Sequence, residues 1–471
     1  MRTYRPLFAL ILAAVALPLR AAERPNILFI FADDLGWGDV GAYGNRRIRT
    51  PHLDRLAAEG TLFTQFYVNG SVCSPSRTAV MTGQYPARHR VHGHFATDEL
   101  NAGRDMPNWL DPTVATLPRV LKEAGYATGH FGKWHLGSGR DAPDPGAYGI
   151  DDHRTVNSSG SGWTDENSPD FRARSTGLIV DEAIRFIRAN RERPFFVNVW
   201  TLVPHATLNP TREQMEPYLR FGPRGVPHLG AAPIYYGSVS DLDTQVGRLM
   251  AALDEASLAR NTLVLFSSDN GPEEIEISNA NHSGVGSPGP LRGRKRSLYE
   301  GGVRVPFLAR WPGVVPAGRV DDESVVAAVD LWPTLCGLAG AATPPRHALD
   351  GEDRGAVLRG TAGPRSGPLY WEWRFRIFGH VFNMSPMLAM RAGRWKLLMN
   401  PDRSRLELYD IPADSREMNN LAGFYPEVVE QMSRQLLAWQ RTLPPGKVED
   451  AAGRHDYPWP GRTLAASPSG R

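Results

Sequence analysis

The chain has 471 residues, more than one small domain holds and suited to one large domain with a smaller companion. An apolar fraction of 41% and a charged fraction of 22% are those of an ordinary globular protein. A formal net charge of +3 is too small to argue for nucleic acid or an anionic membrane surface, so any attraction for anions must come from local clusters of basic residues.

In chain order, Arg2 and Arg5 precede an apolar run over 7–17, and Ala21 and Ala22 follow it. This reads as an export signal over 1–22. The run is too short to span a bilayer comfortably, and no Cys follows it to carry a lipid. A periplasmic or secreted protein without stable membrane insertion is expected.

The continuous apolar run 26–31 has strand length and suits a strand buried on both faces. Thr50 and Pro51 open a helix that Gly60 closes, and a second short helix runs over 118–124 with Gly125 after it. A strand over 127–131, a helix over 175–191 and a strand over 195–200 follow. A helix around Val239, Leu242, Val246, Leu249 and Leu253 then leads into a strand over 262–267. This alternation predicts an α/β sandwich with a largely parallel central sheet flanked by helices, over 23–364. Short strand candidates at 387–390, 394–399 and 406–409, with an amphipathic helix at 426–443, suggest a smaller α+β subdomain with an antiparallel sheet over 365–445. The tail 446–471, rich in Gly, Pro, Arg and Ser, wraps the surface or frays.

Ligands of open parallel sheets bind beyond the carboxyl ends of the strands. Four strand ends here carry polar groups: Asp33 and Asp34; Lys133 and His135; His205; Asp269 and Asn270. Asp and Asn are common in turns, but four strands in a row are hard to attribute to turns alone. The acidic set and Asn270 are oxygen ligands for a hard cation such as Ca²⁺ or Mg²⁺. Lys133, His135 and His205, with Lys295, are donors and proton carriers. A cation ringed by carboxylates beside such groups suits an oxyanion ester.

Of the two cysteines, Cys336 lies in an apolar stretch and reads as a buried thiol; no disulfide is expected. Cys73 and Ser74 precede Pro75 at the start of a helix ended by Gly83, where free N–H groups favour an anion. The segment Cys73-Ser74-Pro75-Ser76-Arg77, followed by Thr82-Gly83, resembles the signature of the type I sulfatase family, of arylsulfatase and N-acetylgalactosamine-6-sulfatase type. The stretches 26–38, 132–137, 268–271, 293–295 and 300–306 also look like that family's motifs, in its order.

The resemblance implies an alkaline-phosphatase-like fold and a maturation enzyme that oxidises Cys73 to formylglycine, recognising Cys73, Pro75 and Arg77. One hydroxyl of the hydrated aldehyde then attacks sulfur, and the other drives release of sulfate. It further implies a cation held by Asp33, Asp34, residue 73, Asp269 and Asn270. Arg77 supports the hydrate and the carboxylates, while Lys133, His205 and Lys295 neutralise the sulfate. His135 is expected to be the base of the elimination, and His205, or alternatively Lys295, the acid for the leaving alcohol.

Arg294 and Arg296, which flank Lys295, suggest either a solvated loop or a polyanionic substrate. Trp163, Trp373 and Arg374 are expected to bind a sulfated carbohydrate, and 98–108 to line the pocket. A phosphatase or phosphonate monoester hydrolase of the same superfamily, and an unmatured non-catalytic binder of sulfated glycans, are the alternatives.

Overall fold

The computed structural model of the chain describes residues 24–455 apart from positions 276, 278, 279 and 281. The expected signal over 1–22 and the last part of the tail lie outside those residues. Strand β1 (Asn26–Asp33) is buried along its whole length. Ile27, Phe29 and Phe31 enter one core, and Leu28, Ile30 and Ala32 enter another on the opposite face. A strand covered on both faces needs apolar side chains at every position, and so the run is continuous rather than alternating.

Eight further strands join it: β2 (Thr61–Tyr67), β3 (Ala127–Lys133), β4 (Asp152–Val156), β5 (Phe195–Pro204), β6 (Thr262–Ser268), β7 (Arg304–Arg310), β8 (Arg319–Asp321) and β9 (Val326–Ala327). Their order is β4-β3-β5-β1-β6-β7-β2-β8, with β9 also on β2. β7 runs antiparallel to β6 and β2, and the other pairings are parallel. The carboxyl ends of β1, β2, β3, β5 and β6 therefore share one edge.

Helices Pro51–Ala58, Phe171–Ala189 and Ala231–Glu255 cover one face of the sheet. Helices Cys73–Thr82, Leu117–Glu123 and Ala328–Ala339 cover the other. Burying a Phe or Leu on either face contributes about 1.5–3 kcal/mol. A second, antiparallel sheet, β10 (Leu369–Glu372), β11 (Leu388–Ala392), β12 (Trp395–Met399) and β13 (Glu407–Asp410), carries helix Pro426–Gln440. Its buried residues, such as Trp371, Leu388 and Leu397, continue the core that holds helix Cys73–Thr82. Among the described residues, no helix is long and apolar enough to cross a membrane.

Candidate active site

The expected strands run on to, or end just before, the polar residues expected at the site. Asp33 ends β1, Lys133 ends β3, His205 follows β5, and Asp269 and Asn270 follow β6. Asp34 and His135 adopt positive φ, 68° and 54°, which turns the chain sharply at the sheet edge. After β2, the chain turns into helix Cys73–Thr82, all of whose residues are buried. Pro75 occupies its first turn, where a missing N–H costs nothing. Gly83 closes it at φ 64°, and a Cβ there would come 2.6 Å from Leu349 and Trp332. Cys73 is thereby fixed at the amino end of a rigid, buried helix.

Arg77, one turn on, binds the centre together. It donates to Asp269 Oδ2 from Nη2 at 2.7 Å and from Nε at 3.1 Å, and to the Lys133 carbonyl at 3.0 Å. Its Nη2 lies 3.7 Å from Asp33 Oδ1, and its guanidinium stacks 5.0 Å from the Trp200 ring. Lys133 Nζ meets Asp33 Oδ2 at 2.6 Å, and Lys295 Nζ meets Asp34 Oδ2 at 2.7 Å. His205 Nε2 is 3.8 Å from Asp34 Oδ2. Asn270 Nδ2 donates to Asp34 Oδ1 at 2.7 Å.

Ligand atoms of Asp33, Asp34 and Asp269 lie within 4.8 Å of one another, and so do those of Asp33, Cys73 and His205. Asp33 Oδ1 and Asn270 Oδ1 are buried without a hydrogen-bond partner. Two orphaned oxygens amid three carboxylates are the donor set of a hard divalent cation, so the residues fit the expected metal.

The electrostatics agree with this. Burial raises Asp34 to about 7; Lys295 opposes this, while Asp33, Glu273 and Asp269 add to it. Burial also opposes ionisation of Asp33, but Lys133, His205, Arg77 and Lys295 outweigh it and hold that carboxyl well below its usual range. Burial pushes the Cys73 thiol up to about 12. Burial, with Lys133, His94 and Arg77, holds His135 well below its ordinary value. His135 Nε2 bonds the Phe95 carbonyl at 3.0 Å, and its Nδ1 is buried without a partner.

Several expectations change. Trp163 is 6% exposed and packs on Phe171 at 5.9 Å, so it belongs to the core rather than a pocket. Trp373 is buried against Phe375, and the buried Arg374 pairs with Glu372 at 2.7 Å. The protein itself already engages all three groups. Arg294 and Arg296 are neither solvated nor free for substrate. Arg294 donates to the carbonyls of Glu273, Gly284 and Gly286, and Arg296 pairs with Glu273 at 2.5 Å.

Two supporting residues were not anticipated. Glu273 also faces Lys295, at 3.4 Å. Arg172, from helix Phe171–Ala189, donates to the carbonyls of Leu202, His205, Ala206 and Thr207 and so fastens the loop that carries His205. Neither follows a strand or sits in a motif; both act through contacts that form only in the fold.

The Sulfatase family model matches residues 25–341, and the model for N-sulphoglucosamine sulphohydrolase, C-terminal, matches 293–442. Human arylsulfatase A is 31% identical, covering 91% of this chain and 90% of its own length. Dog N-acetylgalactosamine-6-sulfatase is 35% identical over 73% of this chain and 68% of its own. The solved structure of Ps i-CgsB in complex with k-i-k-neocarrahexaose is 28% identical, with a TM-score of 0.75 over 95% of this chain and 98% of that one. A phosphonate monoester hydrolase from Agrobacterium radiobacter, 23% identical with a TM-score of 0.63, shares the fold. Matched by the family model over two thirds of its length and by human arylsulfatase A almost end to end, the chain belongs to the sulfatase family, enzymes that hydrolyse sulfate esters.

Proposed function

We propose that the protein removes sulfate from a sulfated carbohydrate, using a formylglycine formed from Cys73 by a maturation enzyme that reads Cys73, Pro75 and Arg77. The observation that carries this reading is the place of Cys73: first in a buried helix, its Sγ within 4.8 Å of ligand atoms of Asp33 and His205. The carbohydrate is supported by relatives named for N-acetylgalactosamine 6-sulfate, including one from Bacteroides thetaiotaomicron that is 29% identical over 88% of this chain. The expected export signal over 1–22 would deliver the enzyme to the periplasm or the medium.

Asp33, Asp34, Asp269 and Asn270, with residue 73, would hold Ca²⁺ or Mg²⁺. Such an ion supplies positive charge for a nucleophilic hydroxyl and a sulfate oxygen. Matured to the aldehyde hydrate, residue 73 would supply one hydroxyl for attack at sulfur and a second for release of sulfate. Lys133, Lys295 and His205 bind and neutralise the sulfate oxygens. Arg77 fixes the carboxylates of Asp33 and Asp269. His135, a neutral imidazole with a free Nδ1, takes the proton that triggers elimination. His205 gives a proton to the leaving alcohol, with Lys295 as the other candidate.

The test is the mass of the peptide that carries residue 73, together with sulfate release from a panel of sulfated sugars. Conversion of thiol to aldehyde lowers the mass by about 18 Da. A fully active protein with an unmodified thiol, or one that cleaves only aryl sulfates or turns over phosphate in preference, would overturn the proposal.

A further inference from the structure

We propose that Arg104 binds a second acidic group of the substrate, a sulfate or carboxylate on the sugar that carries the scissile sulfate or on its neighbour. The inference rests on the carbohydrate reading above and narrows it to glycans with at least two acidic groups.

Arg104 differs from the other arginines around the site. Arg77 is locked onto Asp269, Arg296 onto Glu273, and Arg294 onto three carbonyls. Arg104 is partly exposed; among the described residues it makes one side-chain hydrogen bond, from Nη1 to the His94 carbonyl at 3.2 Å, and no ion pair. A guanidinium has five N–H donors, so most of its donor edge is left for a ligand. Its Cζ lies 5.4 Å from the centre of the Phe375 ring, a cation–π contact. The guanidinium fork is the group that receives a sulfate or carboxylate in bidentate fashion.

The chain ties this group to the catalytic centre through a short set of contacts. Phe95 N donates to Ser74 Oγ, beside Cys73, at 3.0 Å, and the Phe95 carbonyl meets His135 Nε2 at 3.0 Å. The His94 ring stands 6.2 Å from that of His135, within the field of Lys295, Arg296 and Lys133. Gly93 admits the aromatic wall, since a Cβ there would come 3.2 Å from the Phe375 ring and 3.7 Å from Arg104 Nη1. Arg104 thus lies against His94, whose ring faces His135, and within the field of Arg296. An open cavity of about 720 Å³ is lined by Asp105 and Met106, which follow Arg104 in the chain, with Arg90 and Lys447. Glu449 is the acidic group whose field reaches Arg104, and its Oε2 accepts the Arg376 N–H at 2.7 Å.

The test compares kcat/KM for a monosulfated sugar and for the same sugar with a second sulfate or a carboxylate, in wild type, Arg104→Met and Arg104→Lys. Wild type is expected to favour the doubly acidic substrate by about 10–100-fold. In Arg104→Met that ratio falls toward one, chiefly through KM, and Arg104→Lys recovers part of it. A merely structural role would lower both substrates together, leave the ratio intact and lower the melting temperature. The inference is overturned by a wild type without preference, or by a ratio that survives Arg104→Met. Release of sulfate from aryl esters but from neither sugar overturns the carbohydrate reading and takes this inference with it.

Discussion

Arg77 shows how much one side chain does at this centre. It closes two hydrogen bonds on Asp269, approaches Asp33, takes up the Lys133 carbonyl and lies over Trp200. A lysine could keep the charge but has neither the fork nor the flat face. Arg77→Lys is expected to fold and to weaken cation binding by about 10–100-fold, as loss of an outer partner does; a Ca²⁺ titration of the melting temperature checks it, a readout independent of the maturation that Arg77 also serves. An unchanged midpoint would mean that the carboxylates hold their positions without the fork. Asp33, Lys133, His205, Asp269 and Asn270 were legible because each ends or directly follows a strand, and strand ends can be found by pattern; Lys295, on a loop, was legible only through its motif. Arg172 and Glu273 were not, because a partner on another element defines their roles. Arg294 and Arg296 were misread for the same reason: the sequence shows three adjacent cations but not the carbonyls and carboxylate that absorb two of them.

At the level of elements, the parallel strands that carry the site were legible as apolar runs, whereas β7 was hidden by Pro306. A proline lacks a donor and argues against an interior strand, yet β7 lies between β6 and β2. The register explains it: β2 shifts between Phe63 and Phe66, and Pro306 falls opposite that irregularity, between the Phe63–Phe307 and Phe66–Val305 pairs. A bulge has no ladder bond for the proline to break. Helix starts show the same division. The sequence marks Thr50 and Pro51, but Thr50 makes no side-chain cap. The cap comes instead from Asp243 of helix Ala231–Glu255, which accepts from Leu53 N at 2.7 Å and His52 N at 3.2 Å. Asp243→Ala should therefore cost about 1–2 kcal/mol in urea unfolding while kcat stays unchanged, since among the described residues the Asp243 carboxylate bonds only His52 N and Leu53 N and no residue of the catalytic centre. A neutral result in unfolding would show that packing alone holds the helix.

At the scale of the molecule, the small sheet holds in place the loop that carries Lys295. Arg292 donates to the Phe382 and Glu417 carbonyls and to Tyr409 Oη, and Leu298 N donates to Ser385 Oγ. Below the loop, Lys396 of β12 stands between Glu300 and Glu417, 2.9 Å from each. The Glu300 N–H donates to Glu417 at 2.6 Å, while Tyr67 and Arg304 reach Glu300 and Arg391 reaches Tyr67. The sequence displayed the Glu300 motif and the small sheet separately; that one lysine joins them is a property of the fold. Glu300 has Arg304 as a second cation, whereas Glu417 faces Lys396 and the neighbouring Glu300 carboxylate. Burial, and then Glu300, raises Glu417 to about 7 against the pull of Lys396, while Lys396, Arg304 and Arg391 overcome burial to hold Glu300 at about 2. An unfolded Glu titrates near about 4.3. Because the folded value of Glu417 lies above that, its stabilising effect is complete below pH 4 and is lost as pH rises through about 7. Glu417→Gln, which mimics the protonated acid, should match wild type in melting temperature at about pH 4 and exceed it at about pH 8. If the variant instead falls behind wild type at the higher pH, Glu417 is ionised and paired there, and the clamp draws its strength from the second ion pair rather than from a shared proton.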